Sequence, residues 1–409
     1  MSESQTELSI PELIESGGLH IFFQPIVSVR RKAVMGVEAL MRGQHSQTGQ
    51  LLTPKDLIQS ALAQQVYPQL DRTTRNQALA NFFQRGFHTQ ILLFLNLDLD
   101  LVCTDRQVQE LIDRVRMMGI PPSSIVLEMV ESQFDETERL NRVVSRFREH
   151  GMLVAVDDVG AGHSNLERIS LIRPDILKID RSLCGKLGTD RCTEEVFAAL
   201  AVLARKIGAL VVAEGIETHR QAVIALERGA DLLQGYLIHK PEPALSLQLE
   251  QARSSACSLA GYFREHMVQS INHNKIERRM HSILLDSMLS EIAITEQPAF
   301  SATLQRTIRS YPDIECAYIL DHRGTQVTET VFNAHEMPPV GYLFQPAEKQ
   351  TDHSLKQYYY ALLDNETNRY VTEPYISLAS GHLCRTLSAT FRDRSNERLY
   401  ILCIDVKAT

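Results

Sequence analysis

The feature that most constrains the fold is an alternation of short apolar runs and longer amphipathic stretches between about residues 20 and 240. Eight apolar runs have the length of β-strands, at 20–27, 33–40, 91–97, 125–130, 153–156, 176–179, 210–213 and 232–237. Between most of them lie helical patterns, such as those at 106–117, 136–149, 194–207 and 220–228. Strands that alternate with helices form parallel sheets. The pattern therefore predicts an α/β fold, a modified (β/α)8 barrel of the TIM type built on a parallel sheet.

The alternation ends at 240–243, which reads Lys-Pro-Glu-Pro. From 244 to 297 there is no proline, and apolar residues recur at heptad-like intervals, which predicts a long helix. This helix is expected either as one piece or as two pieces that meet around 270–274. It could make a dimer contact or shift its register, or it could simply pack on the barrel. We therefore expect a barrel domain at 1–243, a helical linker at 244–292 and a third part at 293–409.

The third part shows a strand–turn–strand pattern, with strand candidates at 316–320, 325–332, 375–378, 383–391 and 399–406. This α+β pattern resembles the end of a PAS/Cache-type sensor domain, and such domains can hold a small ligand in an apolar concavity. The candidates to line that site are Arg385, Tyr375 and Tyr318. The expected partner of this domain is a small ligand or a protein of unknown identity. The alternative is that they occupy ordinary sheet faces, and that Asp405 is only a turn residue.

Charge and apolar content argue against several functional classes. The net charge is −8 and no block of Lys and Arg occurs, which disfavours binding to a nucleic-acid polymer. The N-terminal segment is polar and acidic, unlike a signal peptide, and the most apolar helical stretch, 196–212, is interrupted by Arg205 and Lys206. The seven cysteines are scattered and form no CxxC pair. We therefore expect no membrane span, reduced thiols and a cytoplasmic protein.

Acidic and amide side chains occur inside the strand candidates or at their C-terminal ends. They are Glu38, Asn96, Glu128, Glu131, Asp157, Asp158, Asp180 and Glu214, with Lys178 and Gln234 in similar positions. Strand C-terminal ends converge on one face of a β/α barrel, and charged groups there are costly unless they are paired or bind metal. Oxygen ligands of this kind favour Mg²⁺, Mn²⁺ or Ca²⁺, and their number is enough for two ions. For any single residue the alternative is a helix cap.

Seven ordered motifs resemble those of the EAL-domain cyclic di-GMP phosphodiesterases, a bacterial second-messenger family. They are Phe-Gln-Pro-Ile-Val at 23–27, Glu-Ala-Leu-Met-Arg at 38–42, Leu-Glu-Met-Val-Glu at 127–131, Asp-Asp-Val-Gly-Ala-Gly at 157–162, Asp-Ile-Leu-Lys-Ile-Asp at 175–180, Ala-Glu-Gly-Ile-Glu-Thr at 213–218 and Gln-Gly-Tyr at 234–236. The resemblance covers about 20–243. The whole arrangement is similar to EAL proteins with a C-terminal PAS-like domain.

The resemblance implies a role for each matching residue. The predicted ligands of two Mg²⁺ or Mn²⁺ ions are Glu38, Asn96, Glu128, Asp157, Asp158 and Glu214. The predicted catalytic residues are Glu38, Lys178 and Glu214. Glu214 is either a metal ligand or the general base. Substrate contacts are predicted for Gln24, Leu40, Arg42, Asp180, Glu217 and Gln234. Loop-stabilising roles are predicted for Glu131, Gly160 and Gly162.

The resemblance further implies hydrolysis of cyclic di-GMP to 5′-pGpG, inhibition by Ca²⁺, a homodimer and regulation by the C-terminal domain. The sequence departs from the family at Val130, Val159, Ala161 and His163, around the loop that follows Asp158. Asp98 replaces a usual serine. Lost hydroxyl hydrogen bonds, worth about 1 kcal/mol each, favour slow or conditional hydrolysis. The alternatives are a cyclic di-GMP receptor with little activity, and an unrelated β/α-barrel metalloenzyme.

Overall fold

The computed structural model describes residues 9–44, 49–102, 104–130, 137–162, 166–243, 246–333, 343–363 and 367–408. The chain divides into two compact units, residues 1–269 and 270–409. Strands of the first unit are β1 (Leu19–Ser28), β2 (Ala33–Gln44), β3 (Leu51–Leu52), β4 (Leu92–Asn96), β5 (Ile125–Val130), β6 (Leu153–Val159), β7 (Ile176–Ile179), β8 (Leu210–Ala213) and β9 (Leu232–Leu233). Its helices are α1 (Ile10–Glu15), α2 (Pro54–Ala63), α3 (Tyr67–Gln84), α4 (Asp105–Met117), α5 (Thr137–Glu149), α6 (Leu166–Ile172), α7 (Arg181–Cys184), α8 (Arg191–Ile207) and α9 (His219–Arg228).

The first unit is a closed barrel of eight strands surrounded by helices. The strand order is β1-β9-β8-β7-β6-β5-β4-β2, and pairing of β1 with β2 closes it, while β3 extends β2 outside the ring. The predicted TIM-like barrel is therefore confirmed. The expectation of an entirely parallel sheet is wrong for β1, which is antiparallel to both β2 and β9. Only four residues separate β1 from β2, too few for the crossover that a parallel pair requires.

Local sequence defines where the helices begin and end. Thr53, Thr104 and Thr218 each accept a hydrogen bond from a backbone N–H three residues later, and the side chain of that later residue bonds back to the cap. This reciprocal cap satisfies donors that the first helical turn leaves free. At the other end, α8 and α9 stop at Gly208 and Gly229, which adopt the left-handed conformation that glycine allows without strain.

The barrel interior is filled by a layer of apolar side chains, one from each of seven strands. They are Ile26, Phe94, Val126, Ala155, Ile176, Val212 and Leu232, all buried. On β2 the corresponding position is Gly36, where a Cβ would meet the Phe94 ring. Strand residues of the opposite orientation, such as Leu127 and Leu177, pack with the surrounding helices in a second cluster. Because side chains alternate along a strand, the residue two positions beyond each interior residue also points into the barrel.

The linking helix, α10 (Ser246–Ile292), is continuous, so the two-piece alternative is wrong. The polar stretch 270–274 contains neither proline nor glycine, and nothing in its sequence interrupts helical hydrogen bonding. Within the first unit, Ala252, Ala256 and Leu259 on this helix belong to the core that covers the barrel. The compact first unit accordingly ends at residue 269. The predicted domain boundaries at 243 and 292 stay predictions.

The second unit is built on an antiparallel sheet. Its strands are β10 (Ile314–Asp321), β11 (Val331–Phe332), β12 (Arg369–Val371), β13 (Tyr375–Ile376), β14 (Leu383–Arg392) and β15 (Leu399–Lys407), and its short helices are α11 (Phe300–Thr307) and α12 (Gln357–Tyr360). The order is β11-β10-β15-β14-β12, with β13 also paired to β14. The predicted strand at 325–332 is wrong over most of its length, since only 331–332 form a strand; Thr325 and Gln326 make isolated antiparallel bridges to Asp352 and Leu320.

The two faces of this sheet separate the residues that sequence reasoning had grouped together. Tyr318 pairs with Cys403 and Thr386 pairs with Asp405, and these four side chains lie on one face. Tyr375 joins them through a 2.5 Å hydrogen bond to the Thr386 hydroxyl. Arg385 pairs with Val406 and lies on the opposite face, which packs against α10 and α11. The expectation that Arg385 lines one site with the two tyrosines is therefore wrong, because neighbours on a strand alternate.

Asp405 is not a turn residue but a buried carboxylate in β15, and this predicts a pH-dependent stability. Burial raises its pKa to about 6, although the Thr386 hydroxyl donates a 2.7 Å hydrogen bond to it. Because the pKa of Asp405 in the folded chain exceeds the usual value of 3.8, protonation of Asp405 stabilises the fold. This stabilisation is fully present below pH 3.8 and is lost as the pH rises through 6.

We therefore expect Asp405→Asn, which is neutral at every pH, to be more stable than the parent chain at pH 7.5. The expected gain in the free energy of unfolding is at most about 3 kcal/mol, from about 1.4 kcal/mol per pKa unit. At pH 4.5 the gain should fall to about one third of that value, because Asp405 is then protonated in the folded chain but still largely ionised in the unfolded chain. Thermal unfolding at both pH values measures it, with exposed Asp313→Asn as the matched control. Equal stabilisation at both pH values would contradict the assignment.

Candidate metal and nucleotide site

A polar layer lies directly above the apolar layer of the barrel. Asn96, Glu128, Asp157, Lys178, Glu214 and Gln234 each follow an interior apolar residue of their own strand by two positions. On β2, Glu38 follows Gly36 by the same interval. On the antiparallel β1, Gln24 precedes Ile26 by two positions. Strand periodicity alone thus brings residues far apart in the sequence to one level of the barrel mouth.

Lys178 lies at the centre of this layer and is almost fully buried. Its Nζ lies 2.6 Å from Glu128 Oε1, 2.6 Å from Glu214 Oε1, 3.1 Å from Asp157 Oδ1 and 3.5 Å from Glu38 Oε2. Burial acts to lower the pKa of its ammonium, but Asp157, Glu128, Glu214 and Glu38 together raise the pKa well above its usual range. Lys178 therefore carries a positive charge that four carboxylates share.

Amide side chains orient Glu38 from two sides. Gln234 Nε2 donates to Glu38 Oε2 at 2.6 Å and also to Gln24 Oε1 at 3.1 Å. Asn96 Nδ2 lies 3.5 Å from Glu38 Oε1. Gln24 is itself fixed by a 3.3 Å hydrogen bond from its Nε2 to the His239 carbonyl. Glu38 is held in one orientation by groups on β1, β4 and the end of β9.

A β-bulge explains how two consecutive aspartates contribute to the same site. The register between β6 and β7 shifts between Val156 and Val159, where Asp157 and Asp158 lie. Asp158 has a φ of 55°, in the left-handed region, and its backbone N–H donates to Asp157 Oδ1 at 2.9 Å. In a regular strand the two side chains would point to opposite sides. The bulge turns Asp158 back toward the barrel mouth.

The carboxylates form two overlapping groups, each of which could hold a metal ion. Oxygens of Glu38, Glu128 and Asp157 lie within 4.8 Å of one another, as do those of Asp157, Asp158 and Glu214. Asp157 belongs to both groups. Oε1 of the buried Glu128 carboxylate faces Lys178 Nζ at 2.6 Å, whereas its Oε2 has no hydrogen-bond donor among the described residues. An all-oxygen donor set with a shared carboxylate fits two hard divalent cations such as Mg²⁺ or Mn²⁺.

The concentration of buried acids also changes their protonation. Burial, then Glu38, raises the pKa of Glu128 well above its usual range. Burial likewise raises the pKa of Glu214, although Lys178 opposes this. Burial, followed by Asp157, raises the pKa of Asp158 to about 6. A bound cation favours the ionised form of the acids that hold it, so cation binding is expected to lower these pKa values.

One cleft at the barrel mouth contains every residue predicted to contact substrate. It is lined by Glu38, Asp158 and Glu214 from the carboxylate groups, and by Gln24, Leu40, Arg42, Asp180, Glu217 and Gln234. Asp180 also caps α7 by accepting from Ser182 N at 2.8 Å, so the helix-cap alternative describes part of its role. The Arg42 guanidinium lies 5.7 Å from the centroid of the Phe22 ring and donates to the Met41 carbonyl.

The predicted loop residues have different outcomes. Gly160 has a φ of 97°, a backbone conformation that favours glycine. A Cβ at this position would also overlap the side chain of Leu183, so both the backbone and the packing favour glycine. Gly162 has a φ of 103° with open space around it. Glu131 and His163 lie outside the described residues. The stabilising role of these residues stays a prediction.

Sequence reasoning missed several polar residues near the site. Arg181 and Tyr236 line the same cleft as Arg42. Arg181 directly follows the motif at 175–180, and Tyr236 is the last residue of the Gln-Gly-Tyr motif, to which the sequence analysis assigned no separate role. Asp98 accepts a 2.9 Å hydrogen bond from the Tyr67 hydroxyl beside a second cleft that also contains Leu40 and Asn96. Tyr67 lies in α3, distant in sequence, so no local pattern predicted this contact.

Comparison with known proteins gives a family match over the barrel. The family model described as the EAL domain matches residues 7–241. YkuI of Bacillus subtilis, an uncharacterized EAL-domain containing protein, is 25% identical over 386 residues, covering 91% of each chain. The cyclic di-GMP phosphodiesterase NbdA of Pseudomonas aeruginosa is 30% identical over 254 residues, covering 60% of this chain. This chain spans only 32% of the length of NbdA.

Solved structures extend the comparison to the fold. The structure of Bacillus subtilis YkuI with c-di-GMP and calcium aligns with a TM-score of 0.76 at 23% identity, covering 98% of this chain and 100% of that one. At 23% identity, this likeness shows that the two chains share a fold. The PaMucR phosphodiesterase in complex with c-di-GMP aligns with a TM-score of 0.53 at 27% identity, covering 58% of this chain and 97% of that one. Among the described residues, no helix is both long enough and apolar enough to cross a membrane.

Proposed function

The chain belongs to the EAL-domain family, and from this membership we propose that it is a metal-dependent phosphodiesterase that hydrolyses cyclic di-GMP to 5′-pGpG. Relatives in this family include named cyclic di-GMP phosphodiesterases, such as NbdA. The observation that carries the proposal is the convergence of two carboxylate groups, which share Asp157, on the cleft that Arg42 and Gln234 line. A phosphodiester in this cleft would lie next to the cation positions.

In the proposed reaction, the residues of this chain hold cations, orient water and bind phosphate. Glu38, Asn96, Glu128, Asp157, Asp158 and Glu214 hold the pair. Mg²⁺ or Mn²⁺ supplies Lewis acidity, which makes water a nucleophile near neutral pH and neutralises charge on the phosphate. The attacking water must lose a proton, and Glu214, which lines the cleft, would accept it if it does not serve as a cation ligand.

Substrate binding is assigned to the cleft residues. The planar guanidinium of Arg42 suits two oxygens of a phosphate. Leu40 offers an apolar contact, and Gln24, Asp180, Glu217 and Gln234 offer hydrogen bonds to the nucleotide or to other side chains. Gln234 already links Gln24 to Glu38, so a ligand that contacts either amide is coupled to the orientation of Glu38. Lys178 would stabilise charge on the phosphate or orient the water.

A second candidate, a cyclic di-GMP receptor with little turnover, is favoured by the loop that follows Asp158. Val130 and Ala161 stand where the family usually has threonines, so each lacks a side-chain hydroxyl, and Ala161 lies in the turn between Gly160 and Gly162. Two missing hydrogen bonds of about 1 kcal/mol each would slow hydrolysis by more than tenfold without removing a ligand. We accordingly propose slow or conditional hydrolysis, controlled by the second unit as a PAS-like sensor in a cytoplasmic homodimer.

Incubation of the purified chain with cyclic di-GMP and either Mg²⁺ or Mn²⁺ tests the proposal. We expect 5′-pGpG to form, to disappear in Glu38→Ala, and to be suppressed by Ca²⁺, whose larger and more flexible coordination fits the reaction poorly. Nucleotide binding without product would favour the receptor. The same assay on residues 1–269 tests regulation, because that segment keeps the part of α10 that covers the barrel. Equal rates for both chains would contradict control by the second unit.

A further inference from the structure

A buried carboxylate in the second unit lies among neutral and acidic side chains. Asp405, on β15, is 2% exposed and accepts a 2.7 Å hydrogen bond from the Thr386 hydroxyl at Oδ1. Its Oδ2 has weaker contacts, 3.5 Å to the Ser377 hydroxyl and 3.6 Å to the Cys316 thiol. Among the described residues Asp405 forms no ion pair, and the charged side chain that acts on it, Glu315, is itself acidic. Burial of a carboxylate without a counter-charge is strongly unfavourable.

Three tyrosines lie around Asp405. The Tyr375 hydroxyl is 2.5 Å from Thr386 Oγ1, the group that bonds Asp405. The rings of Tyr318 and Tyr358 meet edge to face, with their centroids 6.2 Å apart. Burial raises the pKa of all three phenols, and the negative charge of Asp405 raises each of them further, so all three lie within its field. Phenol oxygens accept hydrogen bonds and aromatic faces attract cations, so this lining suits a positively charged group.

An imidazole beside these rings has an unused nitrogen. His353 is 6% exposed, its ring centroid is 5.3 Å from that of Tyr318, and its Nδ1 lies 2.7 Å from the Tyr358 hydroxyl. Its Nε2 is buried and has no hydrogen-bond partner among the described residues. Burial, followed by the charge of Lys356, lowers the pKa of His353 to about 4, so the ring is neutral and does not compensate Asp405. Buried polar atoms are rarely left without a partner, which indicates that a bound molecule completes this one.

These groups together favour one chemical class of ligand. An anion would be repelled by Asp405, and a neutral polyol would leave its charge uncompensated. A divalent cation needs several carboxylate, imidazole or thiolate ligands close together, and the described residues that offer such groups all lie in the barrel. A primary ammonium is a compact positive charge with three N–H donors. It matches one carboxylate with phenol oxygens and ring faces around it.

We propose that the second unit binds a small primary amine, with its ammonium group at Asp405 Oδ2 and a further polar group at His353 Nε2. The residues of this amine site are Asp405, Thr386, Tyr318, Tyr358, Tyr375 and His353. The expected gain in stability of Asp405→Asn agrees with this role, because a charge kept for binding destabilises the chain without its ligand. The inference names the ligand class of the sensor in the proposed function, and it holds whether or not the barrel hydrolyses the nucleotide.

Thermal unfolding and titration calorimetry of the full chain, without nucleotide, test the amine site. The probes are propylamine and ethanolamine, and their neutral counterparts are propanol and ethylene glycol. At a concentration of about 10 mM, at least one amine should raise the unfolding midpoint by about 3 °C or more, while both neutral compounds leave it unchanged.

Variants then assign the binding to the site. Asp405→Asn should weaken binding of that amine at least about thirtyfold, since a buried charge pair is lost. Tyr375→Phe, which removes one hydroxyl, should weaken it about threefold to tenfold. The matched control, exposed Asp313→Asn, should bind like the parent chain.

Three results would overturn the proposal: neither amine binds, the neutral compounds stabilise the chain as much as the amines, or Asp405→Asn keeps the affinity of the parent chain. Circular dichroism establishes that the variants are folded. If Asp405→Asn is not folded, Tyr375→Phe decides, and an unchanged affinity in that variant contradicts the site. Because the barrel residues are intact and no nucleotide is present, failure of this test leaves the proposed hydrolysis untouched.

Discussion

Replacement of Asp157 by asparagine is expected to lower the turnover of cyclic di-GMP at least about 1000-fold. Asp157 is the one carboxylate common to both groups of cation ligands, so a single substitution weakens both positions. A cation pair contributes several kcal/mol of transition-state stabilisation, and each 1.4 kcal/mol is a factor of ten in rate. Asparagine keeps the shape of the side chain, so the loss reports charge rather than packing.

The measurement is the rate of 5′-pGpG formation at saturating Mn²⁺, compared with the parent chain. Asp113→Asn, on the exposed surface of α4, is the matched control and should retain full activity. Raising the Mn²⁺ concentration should recover only part of the activity of Asp157→Asn, because the bridging position itself is altered. A residual rate above one tenth of the parent rate would show that the shared carboxylate does not hold the pair.

Replacement of Gly235 by alanine is expected to destabilise the barrel by about 3 kcal/mol or more. Gly235 has a φ of 155°, and a Cβ there would overlap the backbone N and O of Ile216. These backbone atoms cannot rotate away, and Ile216 is itself fully buried and bonded through its N–H to the Gln234 carbonyl. Relief of the overlap would separate Gln234 from the loop that carries Glu214 and Glu217.

Gly261→Ala provides the control in the same chain. Gly261 lies within α10, and an added Cβ would have no neighbour within 4 Å. Alanine has the higher helix propensity by about 1 kcal/mol, so this variant should be neutral or slightly more stable. Urea unfolding of both variants gives the comparison. If Gly235→Ala unfolded at the same urea concentration as the parent chain, the close approach to Ile216 would be wrong.

The sequence predicted the barrel and its polar layer because both follow from periodicity. All eight strand candidates of the barrel are strands, and the helices at 105–117 and 191–207 begin and end close to the expected residues. The convergence of Glu38, Glu128 and Lys178 followed from their places at strand ends. The direction of β1 was also within reach, since a four-residue connection permits only an antiparallel pair.

What the sequence did not predict depends on departures from periodicity or on distant contacts. The bulge at Asp157 and Asp158 requires a register shift against β7, which no residue pattern in β6 reveals. The hydrogen bond between Tyr67 and Asp98 joins α3 to the segment after β4. Arg385 lies on the opposite face from Thr386 and Asp405 because side chains alternate along β14, and residue type alone does not show which face a residue occupies.

The two-residue offset between the apolar and polar layers has a consequence for how such a barrel can diversify. Strand register depends on side chains such as Ile26, Phe94 and Val212, whereas the proposed chemistry depends on groups one step nearer the solvent. Substitutions in the polar layer can therefore change the chemistry while the apolar layer continues to specify the barrel. Under the proposed function, a lineage that lost a single cation ligand would keep the barrel and the other cleft residues, so a phosphodiesterase could become a receptor for the same nucleotide without passing through an unfolded ancestor.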